Sequence, residues 1–109
     1  MTDTGHDLDC LFRPRSVAVI GASNDPTKIG GIPLAYLKQH KYAGGIYPIN
    51  PNYPVVQDLP AYPTLAAVGQ PIDMAIVAVP ARQVPAVLED AIVAGVRSLV
   101  VFSSGYAEV

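Results

Sequence analysis

Tryptophan is absent from this 109-residue sequence, phenylalanine occurs twice and cysteine once. A lone Cys10 cannot close an internal disulfide, and the start of the chain shows no charged, apolar and small-residue pattern of a secretory leader. A reducing cytoplasm is therefore the expected compartment. Charge is scarce: Asp, Glu, Lys and Arg make up 15% of the chain and the formal net charge is -2. That leaves no basic footprint for neutralising phosphates along DNA or RNA, so nucleic acid is not an expected partner. Long apolar runs are missing too. The longest, Met74 to Val79, stops at Pro80, well short of the roughly 20 residues that cross a bilayer. No membrane association is expected.

What is present is enough apolar material, half of all residues, for one core and one domain. Residues 1–10 are polar and largely acidic and read as a flexible tail; residues 11–109 form the expected domain. Ser16-Val17-Ala18-Val19-Ile20 is a β-branched run ending at Gly21, which suits a strand buried on both faces. Ile32, Ala35, Tyr36 and Leu37 recur at helical spacing between Gly31 and His40, with Pro33 in the tolerant first turn and Gly44-Gly45 as the stop. Ile46-Tyr47-Pro48-Ile49 reads as a second strand in spite of the ladder donor that Pro48 removes. From Asn50 to Pro63 four prolines keep the chain extended and turning, with a short third strand expected near Ala61-Tyr62. Thr64 caps a brief helix through Val68, and Gly69-Gln70-Pro71 turns into the apolar strand from Met74 to Val79. Val84, Val87, Leu88, Ala91 and Ile92 then trace one helical face up to Gly95, and Leu99 to Phe102 supplies a last strand.

Buried strands alternating with helices require parallel pairing through crossovers. The expected class is α/β, a doubly wound, three-layer parallel sheet of about five strands. Ligands of such sheets bind beyond the carboxyl ends of the strands, where the strand order reverses. Three segments fall there: Gly21-Ala22-Ser23-Asn24, Pro80-Ala81-Arg82 and Ser103-Ser104-Gly105. Lys28-Ile29-Gly30-Gly31 follows the first of them at a helix start, where amides and the helix dipole favour an anion. Equally, Gly21 could serve a tight turn, and Gly30-Gly31 close packing alone. A dinucleotide site would normally add Gly-x-Gly-x-x-Gly and an acid at the end of the second strand. Neither occurs, since Asn50 stands where the acid would be, and NAD is the weaker reading.

The string Leu11-Phe12-Arg13-Pro14-Arg15-Ser16-Val17-Ala18-Val19-Ile20-Gly21-Ala22-Ser23, followed by Lys28-Ile29-Gly30-Gly31, resembles the amino terminus of NDP-forming acyl-CoA synthetases, a group that includes the succinyl-CoA synthetase α subunit. So do Ile46 to Pro51, Asp73 to Ala81, and Ser103 to Glu108, in the same order. The resemblance implies a Rossmann-like CoA-binding domain. It implies that the Gly21–Asn24 loop, Gly30 and Gly31 lie against CoA phosphates, that Pro80 and Ala81 flank the adenosine, and that Ser103, Ser104 and Gly105 run beside the thiol arm. Asn50 falls where the succinyl-CoA synthetase subunit turns a lysine toward CoA, so that charge contact is lost here. Lys28 and Arg82 are assigned to phosphates from their chemistry.

The resemblance further implies a parent ligase that makes acyl-CoA, ADP and phosphate from an acid, CoA and ATP. Its phosphohistidine and its ATP-grasp domain, with ATP and Mg, would lie in downstream domains, leaving this chain catalytically incomplete as an expected truncated fragment. The alternative is a CoA- or nucleotide-sensing regulatory domain, free-standing or fused to a protein acetyltransferase. No catalytic or metal-ligating residue is assigned. His6 sits in the tail, His40 near a helix end, and Cys10 has no histidine beside it in sequence. CoA or acyl-CoA and the downstream ligase domains are the expected partners, with self-association through an uncovered apolar edge or face. Gly21→Val is expected to block the ligand with modest loss of fold.

Overall fold

A computed structural model of the chain describes residues 14–102. Strand β1 (Ser16–Ile20) is buried at all five positions, as the apolar run Val17 to Ile20 demands of a strand covered on both faces. It leads through a loop to helix α1 (Ile32–Gln39), which begins with Pro33 in its first turn and ends at His40. Strand β2 (Gly45–Ile49) follows, then two short strands, β3 (Val55–Val56) and β4 (Leu59–Pro60), and a 3₁₀ turn at Ala66–Val68. Strand β5 (Met74–Val77), a second 3₁₀ turn (Ala81–Gln83), helix α2 (Val84–Ala94) and strand β6 (Ser98–Val101) complete the chain. Gly95 closes α2 at φ 77°.

The main sheet has the order β2-β1-β5-β6, with every neighbouring pair parallel. The chain steps from β1 outward to β2, then returns across β1 to β5. The strand order therefore reverses between β1 and β5. Alternation along the strands sends Ala18, Ile20, Ile49, Ala75 and Val77 to one face, under Leu65, Val68, Val84 and Ala91. Val17 and Val19 go to the other face, under Leu34 of α1 and Val56 of the hairpin. Helix, sheet and helix make three layers, so the α/β doubly wound expectation holds.

Pro48 is accommodated by its place on the edge strand. Its carbonyl accepts from the Tyr62 amide on the side away from β1, at 2.9 Å, and the Asn50 amide donates to the Tyr62 carbonyl on that same side. The nitrogen of a strand residue points the same way as its carbonyl, so the missing donor costs β1 nothing. Near Ala61-Tyr62, where a third strand was expected, there is only an isolated bridge from Tyr62 to Ile49. The pairing lies earlier, in the antiparallel β3–β4 hairpin. Its two-residue turn holds Gln57 at φ 49° and Asp58 at φ 68°, a geometry that Asn-Gly would have advertised and Gln-Asp does not. Strand β5 is also shorter than its apolar run, although the Ala78 amide still donates to the Ile20 carbonyl at 2.8 Å.

At the amino ends of the strands, the buried Ser16 hydroxyl donates to the Pro71 carbonyl and accepts from the Asp73 amide, both at 2.9 Å. Asp73 in turn accepts from the Arg15 amide through Oδ2, and from Ser98 through its carbonyl. These bonds set the strand register at the end away from the loops that follow β1 and β5. Tyr42 donates to the Pro14 carbonyl there, and burial, with the Asp73 charge, holds its phenol above the ordinary range. Among the described residues, no helix is long and apolar enough to cross a membrane.

Candidate functional site at the strand ends

The loop after β1 starts with a forced conformation. Gly21 has φ 84°, and a Cβ there would overlap the Ala78 carbonyl oxygen. Only glycine lets β1 turn away beside β5 at the point where strand order reverses. This corrects the expectation for Gly21→Val: the substitution strikes the fold before it reaches a ligand. The Gly21 and Ala22 amides both donate to the Ile49 carbonyl, at 3.2 and 3.3 Å, and tie the loop to the end of β2. Asn50 strengthens that tie, its Nδ2 donating to the Ala22 carbonyl at 2.9 Å while its Oδ1 accepts from the Asn52 amide at 2.7 Å. The Asn50 side chain is thus committed to holding the loop and the turn that follows β2.

Further along, the Ser23 amide donates to the Gly30 carbonyl at 3.2 Å and closes the loop on itself. Gly30 is buried, and a Cβ on it would overlap the Gly21 carbonyl oxygen; Gly31 is buried in the same manner against the Asp25 carbonyl. Both glycines thus hold backbone against backbone. The Gly31 and Ile32 amides donate to the Lys28 carbonyl, at 2.8 and 2.9 Å, so part of the helix start left open to an anion by the sequence is already engaged. Asp25 accepts from the Thr27 hydroxyl at 2.6 Å and the Thr27 amide at 2.9 Å. Those bonds, with a smaller contribution from the Lys28 charge, hold its carboxyl below the ordinary value of 3.8. Ser23 Oγ accepts from the Asp25 amide, and Asn24 Oδ1 from the Gln57 amide, while the Asn24 NH2 has no partner among the described residues and Lys28 is exposed.

After β5, Pro80-Ala81-Arg82 turns into the 3₁₀ segment that opens α2, with Arg82 exposed. Beside Gly21, between the carboxyl ends of β1, β2 and β5 and the start of α2, lies a cleft of about 240 Å³. Ile20, Gly21, Ile49, Leu65, Val79 and Val87 give it apolar walls, while Thr64, Gln83 and Asp90 add polar groups. Of the predicted site residues only Gly21 lines this cleft; hydrogen bonds and close backbone packing hold the Gly21–Asn24 loop, Gly30, Gly31 and Asn50 together beside it, whereas Pro80, Ala81 and Arg82 fall between its lining residues Val79 and Gln83 without lining it. Ser103, Ser104 and Gly105 lie outside the described residues, as do His6 and Cys10. His40 stacks on Tyr36, with ring centroids 4.2 Å apart, at the end of α1 remote from the cleft.

Sequence reasoning missed Gln83 and Asp90. A signal existed, because Gln83, Val87 and Asp90 are spaced at i, i+4 and i+7 along the edge of the apolar stripe of α2. Gln57 was missed as well and carried no comparable signal. Among the described residues, no group of three or more His, Cys, Asp or Glu is placed to hold a metal ion.

The CoA binding domain family matches residues 15–108, and the chain belongs to it. Coenzyme A is accordingly the ligand of its family. The chain is 44% identical to an ADP-forming acetate–CoA ligase II of Archaeoglobus fulgidus over 102 residues, 94% of this chain but 15% of the ligase. It is 39% identical to the α subunit of ADP-forming acetate–CoA ligase I of Pyrococcus furiosus, spanning 93% of this chain and 23% of that subunit. Among solved structures, the apo form of a dinucleotide-forming acetyl-coenzyme A synthetase 1 of Ca. Korarchaeum cryptofilum superposes with a TM-score of 0.86 at 40% identity. That match covers 93% of this chain and 22% of the synthetase. The chain thus spans less than a quarter of each of these proteins.

Proposed function

We propose that this chain is the CoA-binding domain of an ADP-forming acyl-CoA ligase, and that it holds CoA across the carboxyl ends of β1, β2 and β5. The observation that carries this reading is the cleft lined by Gly21, Ile49, Val79 and Gln83 at the reversal of strand order, with the β1 loop tied to its edge through Asn50. Bound CoA would supply the thiol that takes up the acyl group. The Asn24 NH2, Lys28 and Arg82 meet its phosphates. The apolar walls of the cleft accept the adenine, with Gln83 and Asp90 as hydrogen-bonding groups at its rim. A carboxylate at Asp90 repels phosphate, which keeps the diphosphate on the loop side of the cleft. The phosphohistidine and the nucleotide site belong to other domains of the parent ligase.

Calorimetric titration of the domain with CoA, acetyl-CoA and NAD tests the reading. Heat is expected with both CoA species and none with NAD. Absence of heat with CoA and acetyl-CoA while the protein is folded, or tighter binding of NAD, would overturn it.

A further inference from the structure

The ligand loop is held from outside by a residue that belongs to none of the three strand-end segments. Gln57 sits at the tip of the β3–β4 hairpin, and its Nε2 donates to the Ser23 carbonyl at 2.8 Å and to the Gly31 carbonyl at 3.1 Å. Its own amide donates to Asn24 Oδ1 at 2.7 Å, and its carbonyl accepts from Lys38 Nζ on α1. One residue thus joins the descending arm of the loop, at Ser23 and Asn24, to the start of α1, at Gly31, and is itself moored to the helix. We propose that Gln57 is a positioning residue for CoA, fixing the spacing of the two arms of the Gly21–Gly31 loop and the orientation of the Asn24 amide.

Two physical points favour this over a purely local role in the turn. Gln57 holds a left-handed backbone at φ 49°, a conformation that glycine or asparagine adopts at far lower cost. A turn built for stability alone would use one of those residues, and an outlier kept in a strained conformation beside a ligand loop points toward a role there. The two acceptors of its side chain are carbonyl oxygens, so a group with two N–H donors is required. A glutamate would set a carboxylate against both of them.

The inference rests on the CoA reading above, and the test separates the two. Gln57→Gly removes the side-chain amide and at the same time relaxes the backbone of the turn. Its melting temperature is expected within a few degrees of wild type, with CoA bound about tenfold more weakly, as loss of two hydrogen bonds implies. Faster hydrogen exchange is expected at Ser23 and Lys28, whose amides donate to the Gly30 and Asp25 carbonyls, with β1 and β5 unchanged, whereas a merely structural residue would lower protection throughout the sheet. Gln57→Asn, which tolerates the left-handed turn but is one methylene short, is expected to shift affinity the same way by a smaller factor and serves if the glycine variant fails to fold. Unchanged CoA affinity in these variants, or a loss that follows global stability, overturns the role of Gln57. Failure of the wild-type domain to bind CoA would instead strike the functional reading, and the exchange pattern alone would then decide whether Gln57 orders the loop.

Discussion

The two halves of the sheet are held together by different physics. Around β1 and β2, the loop, the hairpin and α1 are cross-linked by polar bonds between residues far apart in sequence: Asn50 to Ala22, Gln57 to Ser23 and Gly31, and Lys38 to Gln57. Around β5 and β6, beyond the ladder and the bonds of Ser16, Asp73 and Ser98 at the amino ends of the strands, cohesion is chiefly apolar, through Ala75, Val77, Val84 and Ala91. That half also leaves apolar surface uncovered. Ile92 and Val93 on α2 are 75% and 88% exposed, and Leu99, Val101 and Phe102 project from β6 and its end. Directional bonds fix atoms to fractions of an ångström and suit a ligand loop, whereas apolar burial is tolerant of position and suits a surface that meets other protein. The candidate site takes most of its framework from the first half and one apolar wall, α2, from the second.

Gly21 is where the halves meet, so Gly21→Val is the most severe way to break the comparison. A left-handed valine overlapping the Ala78 carbonyl is expected to cost roughly 3 kcal/mol or more, seen as a large drop in the urea midpoint. An unchanged midpoint would mean that the β1–β5 junction yields easily. The next largest effect falls on the opposite end of the same junction. Ser16→Ala leaves the Asp73 amide without its acceptor and the Pro71 carbonyl without its donor in a part-buried setting. The expected loss is roughly 1–3 kcal/mol in equilibrium denaturation. A loss below a few tenths would show that the ladder alone sets the register.

The two halves also differ in how much of them the sequence discloses. β1, β5, β6 and α2 follow from apolar runs and helical spacing, because burial against a broad layer writes a periodic pattern. The hairpin does not, since each strand is two residues long and its turn lacks Asn-Gly. The Gly21–Asn24 loop was legible as a strand-end segment, but the engagement of Gly31 and Ile32 by Lys28 and the bracing by Gln57 were not. The Gln57 bonds link residues up to 34 positions apart, a pairing that no local pattern encodes, while the Lys28 bonds close a local turn that has no distinctive residue signature. The apolar excess on α2 was misleading in a useful way. Ile92 continues the helical stripe in sequence, yet it lies outside the buried face.

That excess supplies a third prediction, confined to the second half. The isolated domain is expected to self-associate through the α2–β6 face, and Val93→Lys to weaken association severalfold while changing stability by less than about 0.5 kcal/mol. Light scattering over a concentration series, paired with a denaturation curve, checks both parts. A wild-type monomer at every concentration would refute the assignment of this face. Equal association of the variant would move the contact elsewhere.

The smallest effect is confined to the first half and concerns the turn that carries Lys28. The Thr27 hydroxyl and amide donate to the Asp25 carboxylate, and the folded carboxyl consequently titrates below its ordinary value of 3.8. A group whose folded pKa is lowered favours the folded turn when ionised, so its contribution is complete above the ordinary value and fades as pH falls through the lowered one. Thr27→Val deletes the hydroxyl donor, the larger of the two influences, and leaves the amide bond. In the variant, the Asp25 carboxyl is expected to titrate closer to 3.8 by NMR. The small stability difference between variant and wild type at neutral pH should shrink as the pH is lowered through the acid range, since below both pKa values neither protein retains the charged acceptor. Because Asp25 is fully exposed, solvent screens the interaction and the change at neutral pH is small. Identical Asp25 titrations in the two proteins would show that the Thr27 hydroxyl does not order the loop, and that the polar framework of this half rests on Asn50 and Gln57.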